Sequence, residues 1–294
     1  MTISTNAYSS PTIGIVGAGK LGKVLTTAFG ARVEWIVCHS QEKAQELREK
    51  FDSKPIYTSI KEITRFPDII FLTVPDRITK GIAEELAAQY SRADETKTVI
   101  HCSGALGLEE LAPCHALGMR TVAAHPFQTF TGDDTKALES IAWGIECEQD
   151  DEGFSKTLVK SLGGIPVILS AQTRANKALY HASAVVASNF VTMLIEVARE
   201  FAAAAGITDV FLAPIIHQAV ENSLYALHED SPLPLTGPIA RADITTLQHH
   251  HDALANTRLG ELYSILSQAT ANVAFHNNLI SSDEYEIIKN VVKE

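Results

Sequence analysis

The hydrophobic positions of this chain follow two different rhythms. In the first half, short continuous apolar runs stand between stretches with helical spacing. "TIGIVGAG", "VEWIVCHS", "DIIFLTVP" and "TVIHCSG" are rich in β-branched residues and bounded by turn residues, so each predicts a buried strand. "KLGKVLTTAFG", "QEKAQELREKF" and "DRITKGIAEELAAQY" place apolar residues three and four apart and predict helices, the first closed by Gly30. "TVAAHP", "AWGIECE" and "IPVILS" carry the strand series on to residue 170. Apolar strands alternating with helices predict a mostly parallel sheet covered on both faces, the doubly wound α/β class.

Beyond residue 170 the strand rhythm stops. The remainder is Ala-rich and predicts helices near 172–205, 209–228, 239–255, 257–280 and 283–293, with "HEDSPLPLTGP" as the clear loop. The expected organisation is a doubly wound domain over 1–170 and an all-helical domain over 171–294.

Composition narrows the function. With 46% hydrophobic and 20% charged residues the chain is globular. Its net charge of −11, without a long basic run, argues against nucleic acid or an anionic membrane as the main partner. The four cysteines form no CxxC pair, which suits a reducing cytoplasm and argues against a disulfide framework or a thiolate zinc site. The polar start "MTISTNAYSSPT" reads as a short disordered lead, not a targeting segment. From Ala178 to Ile195 there is no Asp, Glu, Lys or Arg, a length that prompts the question of a membrane span. Tyr180, His181, Ser183, Ser188, Asn189 and Thr192 are too polar for lipid, so a helix buried in protein is expected.

The candidate chemistry begins at "IGIVGAGKLG". Gly17, Gly19 and Gly22 form GxGxxG between a strand and a helix, the context in which the pattern binds a dinucleotide. Gly17 permits the turn, Gly19 lets pyrophosphate approach, and Gly22 allows close helix packing. Ala18, Lys20 and Leu21 complete the loop, and the helix N-terminus favours phosphate. The second strand ends in Cys38, His39 and Ser40, where an NAD site would carry an acid. His39, Ser40 and Lys43 suit a 2′-phosphate, so NADP(H) is expected over NAD(H). Ligands lie beyond the carboxyl ends of such strands. Those ends offer Thr73, Val74 and Pro75 beside the cofactor, Ser103 toward cofactor and substrate, and Gly104 and His125 toward a substrate, with His101 and Gln128 at the same ends.

In "NKALYHASAVVASNF", Lys177, His181, Ala184 and Ser188 fall in one stripe, opposite Leu179, Ala182, Val186 and Phe190. A solvent face usually carries several charges; this stripe has a single lysine beside an imidazole, as a polar pocket would. Lys177 is the candidate proton or charged hydrogen-bond donor, and His181 shares the proton or orients the substrate. Arg241, in "GPIARAD" just inside a helix starting near Pro238, is a candidate carboxylate clamp. His249, His250 and His251 point about 100° apart and cannot share one ion, so no metal site is expected. His250 is the one expected to face inward.

The motifs "GIVGAGKLG", "HCSGALGLEELAP", "AAHPFQTF", "KALYHASAVVASN" and "TGPIARADITTLQHHHDAL" span most of the chain. Together they resemble two-domain Rossmann-like NADP oxidoreductases whose C-terminal half is a domain of unknown function. These are similar to pyrroline-5-carboxylate reductase, ketopantoate reductase and the β-hydroxyacid dehydrogenases. The resemblance implies a helical domain that dimerises and closes over the nicotinamide, and a catalytic or substrate-binding role for Lys177 and Asn189. Their spacing of twelve departs from the family's four, and His181 stands where that asparagine would fall. The reading is an NADP-dependent oxidoreductase acting on the C=O or C=N of a small carboxylate-bearing metabolite. A non-catalytic NADP-binding redox regulator and hydride transfer to a deazaflavin-type cofactor are the alternatives.

Overall fold

The computed structural model of the protein describes residues 10–90, 96–132 and 134–293. The first nine residues of the polar lead lie outside them. Contacts divide the chain into two compact units, 1–190 and 191–294.

The first unit is built on eight strands: β1 (Ile13–Val16), β2 (Val33–Val37), β3 (Ile56–Tyr57), β4 (Ile69–Leu72), β5 (Thr98–His101), β6 (Arg120–Pro126), β7 (Ala142–Cys147) and β8 (Ile165–Ile168). They pair in the order β3-β2-β1-β4-β5-β6-β7-β8. Every pair is parallel except β6 with β7. Parallel neighbours need a crossover, which helices α1 (Lys20–Phe29), α2 (Gln41–Lys50) and α3 (Asp76–Gln89) supply, with short α4 (Ala112–His115) after β5. Among the described residues between β6 and β7 the one helical element is a single turn over Thr135–Leu138, and the strands there run antiparallel. Helix α5 (Glu152–Ser161) then returns the chain to β8.

The apolar runs become the core as their pattern requires. Ile13, Ile15, Val24, Leu25 and Ile100 are fully buried, and Phe71 is 1% exposed. Each such side chain contributes roughly 1.5–3 kcal/mol of burial free energy. Two expectations change here. β3, two residues long, is too short to leave a hydrophobic pattern. β8 is an edge strand, so Ile165 and Val167 are 53% and 44% exposed rather than buried.

The unit ends with α6 (Ala171–Ala175), α7 (Lys177–Val185) and a π-helical turn over Val186–Phe190. The division of the chain therefore falls after Phe190, not after residue 170. The reason is local: the first turns of α7 are tied to β6 and β7 by the contacts described below. Helical residues run on to Ala204, and this segment is long and apolar enough to cross a membrane by length and composition. Its apolar window is not buried within the chain, with Leu179, Val186 and Phe190 at 70%, 55% and 50% exposure. The expectation that this helix is buried is corrected for the single chain.

The second unit contains α8 (Val191–Ala204), α9 (Asp209–Glu229), α10 (Ile244–Leu254), α11 (Arg258–His276) and α12 (Ser282–Val291). Leu247, Ala271, Ala274 and Ile288 form a small core. Ser281 and Glu284 make a reciprocal capping box at the start of α12. α10 begins at Ile244, later than expected. Ala242 takes a left-handed conformation (φ 49°) and Asp243 caps the helix, accepting from the Thr246 N–H at 3.1 Å.

Candidate active site

The order of the sheet reverses at β1, and the turn after β1 is the glycine loop. Gly17 has φ 104°, a region that disfavours side chains, and a Cβ there would lie 2.6 Å from Thr73 O. The Thr73 hydroxyl donates to Gly17 O at 2.6 Å, and the Gly17 N–H donates to Val37 O at 2.9 Å. A Cβ on Gly22 would meet Gly17 O at 2.0 Å, so the helix can approach only with glycine there. Gly19, the N-cap of α1, differs: nothing lies within 4 Å of its would-be Cβ. A rigid turn thus presents open backbone at a helix N-terminus, the form a pyrophosphate requires.

This turn borders a cleft of about 1150 Å³ at the carboxyl ends of β1, β2 and β4. Of the sequence candidates, Gly17, Ala18, Gly19 and Lys20 line it. So do His39, Lys43, Thr73, Val74 and Pro75. Leu21 instead packs against the core, and Gly22 serves the helix packing. Ser40 is the N-cap of α2, its hydroxyl accepting from the Lys43 N–H at 3.2 Å. The cleft also gains Thr58, Ser59 and Arg77, which sequence reasoning missed. Thr58 and Ser59 follow the patternless β3. Arg77 lies just past the Pro75 bend, in the first turn of α3.

A second group of polar side chains surrounds the ends of β5, β6 and β7. His101, Ala123 and Glu146 occupy one register row across these strands. The small Ala123 leaves space between the two larger side chains. His101 is fully buried; its Nδ1 accepts from the Ser103 N–H at 3.3 Å and its Nε2 is 2.9 Å from Gly107 O. That pattern fixes the proton on Nε2. Burial lowers its pKa, so the ring is neutral. The Ser103 Oγ accepts from the N–H groups of Ala105 and Leu106 at 3.1 and 3.2 Å, which leaves its proton directed elsewhere.

Lys177, at the start of α7, reaches into this group. Its ammonium donates to Leu106 O at 2.7 Å and stands 2.9 Å from Glu146 Oε2, an ion pair without hydrogen-bond geometry. The two side chains are only 11% and 13% exposed. Tyr180, one turn on, lies 3.0 Å from His125 Nδ1 through its hydroxyl. Two glycines make room for this pair. A Cβ on Gly144, which faces His125 across the sheet, would lie 2.3 Å from the Tyr180 hydroxyl. One on Gly104 would lie 2.8 Å from the His125 ring. Burial pushes the Tyr180 phenol up to about 12. Burial, with a smaller contribution from the neighbouring Lys177 ammonium, lowers His125 to about 4, so both groups are neutral at pH 7. His181 completes the cluster with its ring 6.2 Å from that of His125.

Lys177, His181, Ser103, Gly104 and His125 are therefore brought together, and Glu146 and Tyr180 join them. Glu146 was missed because a strand glutamate reads as solvent-facing; Tyr180 sat at the edge of the predicted stripe. Asn189 lies apart: it is exposed, in the π-helical turn, and accepts from its neighbour Ser188 at 2.9 Å. Arg241 belongs to the second unit, exposed in the turn before α10. Of the three histidines, His251 is the least exposed, not His250. His250 is exposed, with Nδ1 2.7 Å from the Tyr263 hydroxyl.

A reversed parallel sheet with a bare glycine turn at its switch point defines a dinucleotide-binding α/β fold, here continued by helices. The sequence matches the model of a Rossmann-like domain over residues 5–126 and that of a domain of unknown function, DUF2520, over residues 141–270. The two matches follow one another along the chain, each over less than half of it. No curated protein matches it. Among solved structures it is similar to a Bacteroides fragilis protein assigned as an NADP oxidoreductase. The two share 21% identity over 88% of this chain and 97% of that one, with TM-score 0.72. It is also similar to a pyrroline-5-carboxylate reductase from Coxiella burnetii, at 16% identity over 97% and 100% of the two chains, TM-score 0.55. A reductive aminase from Aspergillus terreus in complex with NADPH and ethyl levulinate shares 13% identity over 96% and 99%, TM-score 0.61. At these identities the likeness is one of fold.

Proposed function

We propose that the protein is an NAD(P)-dependent oxidoreductase, with NADP(H) preferred, acting on the C=O or C=N of a small carboxylate-bearing metabolite. The observation that carries this reading is the glycine turn: rigid at Gly17, open at Gly19, and facing a cleft on the same sheet edge as the Lys177 cluster. Gly17, Ala18 and Gly19 would hold the pyrophosphate, and His39, Lys43, Thr58 and Ser59 the ribose and its 2′-phosphate. When bound, the dinucleotide supplies or accepts hydride. The similar folds of an NADP oxidoreductase and of a reductive aminase with NADPH support the reading.

The chain's own residues supply the rest. Glu146 and Leu106 O hold the Lys177 ammonium in place, so one remaining N–H can meet a substrate heteroatom as negative charge gathers there. The neutral Tyr180–His125 pair offers a second donor, and Ser103 Oγ–H can hold a substrate oxygen. The exposed apolar faces of α8 and α9 are assigned to a second copy of the chain, forming a homodimer. Lipid is disfavoured for this helix because Lys177 and Tyr180 fix its start to the sheet.

Single-turnover oxidation of NADPH against a panel of oxo acids and imines tests the proposal. A Lys177→Met, Glu146→Gln variant avoids stranding a buried carboxylate. It is expected to bind the nucleotide normally and lose roughly 100-fold or more in turnover. Full turnover in that variant, or no oxidation by the wild type with any member of the panel, contradicts the reading.

A further inference from the structure

Beyond β2 the cleft carries two lysines that already have a partner. Lys23 on α1 and Lys43 in the first turn of α2 both line the cleft, and both reach the carboxylate of Glu46. Lys43 Nζ is 2.5 Å from Glu46 Oε2, and Lys23 Nζ contacts Oε1. The lysine side chains are 28% and 17% exposed and that of Glu46 50%, so two cleft-lining ammonium groups are engaged by a carboxylate that is half open to solvent. Hydrogen bonds from Lys23 and then Lys43 hold the Glu46 carboxyl down at about 2. It is therefore charged throughout the neutral range.

This arrangement stands where a doubly wound fold places the adenosine ribose. The strand end itself offers no acid, only Cys38, His39 and Ser40, and Ser40 is engaged as a helix cap. Counting lysines alone gives this corner two free positive charges. Counting Glu46 leaves one. A 2′-phosphate brings close to two negative charges, whereas an unmodified ribose brings none.

We infer that Glu46 sets the cofactor preference of the cleft, as an internal counter-charge that competes with a 2′-phosphate for Lys23 and Lys43. The inference rests on the dinucleotide binding proposed above. Glu46 repels the phosphate directly and holds the lysines away from it, and both effects act more weakly on NADH, whose only charges are on the more distant pyrophosphate. Because the cluster is partly exposed, water and salt screen the interaction and the effect is a modest factor.

Fluorescence titration of NADPH and NADH into wild type and Glu46→Gln, at low and high salt, tests this. The substitution is expected to raise the preference for NADPH over NADH by roughly five- to tenfold, with NADH affinity changed less than about twofold. Added salt shrinks the gain, and Lys43→Met in the Glu46→Gln background removes it. Glu46→Asp, which keeps the charge, leaves the preference near that of wild type. An unchanged or reduced preference in Glu46→Gln, or an equal gain in Glu46→Asp, overturns the inference while leaving the proposed function standing. Failure of the wild type to bind either nucleotide removes the proposed function itself.

Discussion

The two units treat their large apolar side chains in opposite ways. In the sheet unit Phe71, Ile15, Ile36 and Ile100 are at most 1% exposed, packed from both faces by helices that the crossovers supply. In the helical unit Val210, Phe211, Ile215 and Leu227 on α9 are 76%, 63%, 66% and 77% exposed, and the core is limited to a few residues of α10, α11 and α12. The core of the sheet is closed within the single chain, whereas the large apolar side chains of α9, like Leu179, Val186 and Phe190 at the end of the first unit, are left uncovered.

Phe71→Ala should cost about 3–5 kcal/mol in chemical denaturation, because a fully packed site cannot collapse around the loss. A cost below about 1 kcal/mol means the sheet unit is not the packed body described.

A smaller effect concerns pH. Burial keeps His125 neutral, with its pKa near 4 against an ordinary value of 6.5. As pH falls from about 6.5 toward 4, the unfolded chain takes up a proton that the folded chain refuses. Stability is lost over that window and levels off below it. The loss is at most about 3 kcal/mol, and His101 acts in the same direction. His125→Asn should flatten this part of the stability profile. An unaltered slope places the titration elsewhere.

The smallest cost to stability sharpens the other side. Phe211→Glu with Leu227→Glu should change single-chain stability by less than about 0.5 kcal/mol per site. Sedimentation at rising concentration should nonetheless show the proposed dimer dissolved. A dimer that survives the double substitution places its interface away from α9.

The sheet was legible because buried parallel strands are long apolar runs, and the glycine loop because its three positions have separate steric duties. What escaped had no such signature. β3 is two residues long. The antiparallel turn of the sheet at β6 and β7 follows from a missing crossover helix, not from the strands themselves. In the polar cluster, Lys177 and His181 stood out on their helix, but Glu146 acquires its meaning only from the register row that sets it across Ala123 from His101. Gly144 and Gly104 read as ordinary strand and turn glycines until the Tyr180–His125 pair occupies the space they leave. The π-helical turn over Val186–Phe190 departs from the regular helical phase on which the stripe was drawn.

The central claim is that a dinucleotide lies against the turn after β1, and Gly19 tests it most directly. Its backbone (φ −70°, ψ −167°) accepts any residue, and no atom lies within 4 Å of its would-be Cβ. Titration of NADPH into Gly19→Val should show binding weakened by roughly 100-fold, about 2.7 kcal/mol, with the denaturation midpoint unchanged. Undiminished NADPH affinity in this variant would show that the nucleotide does not use this turn.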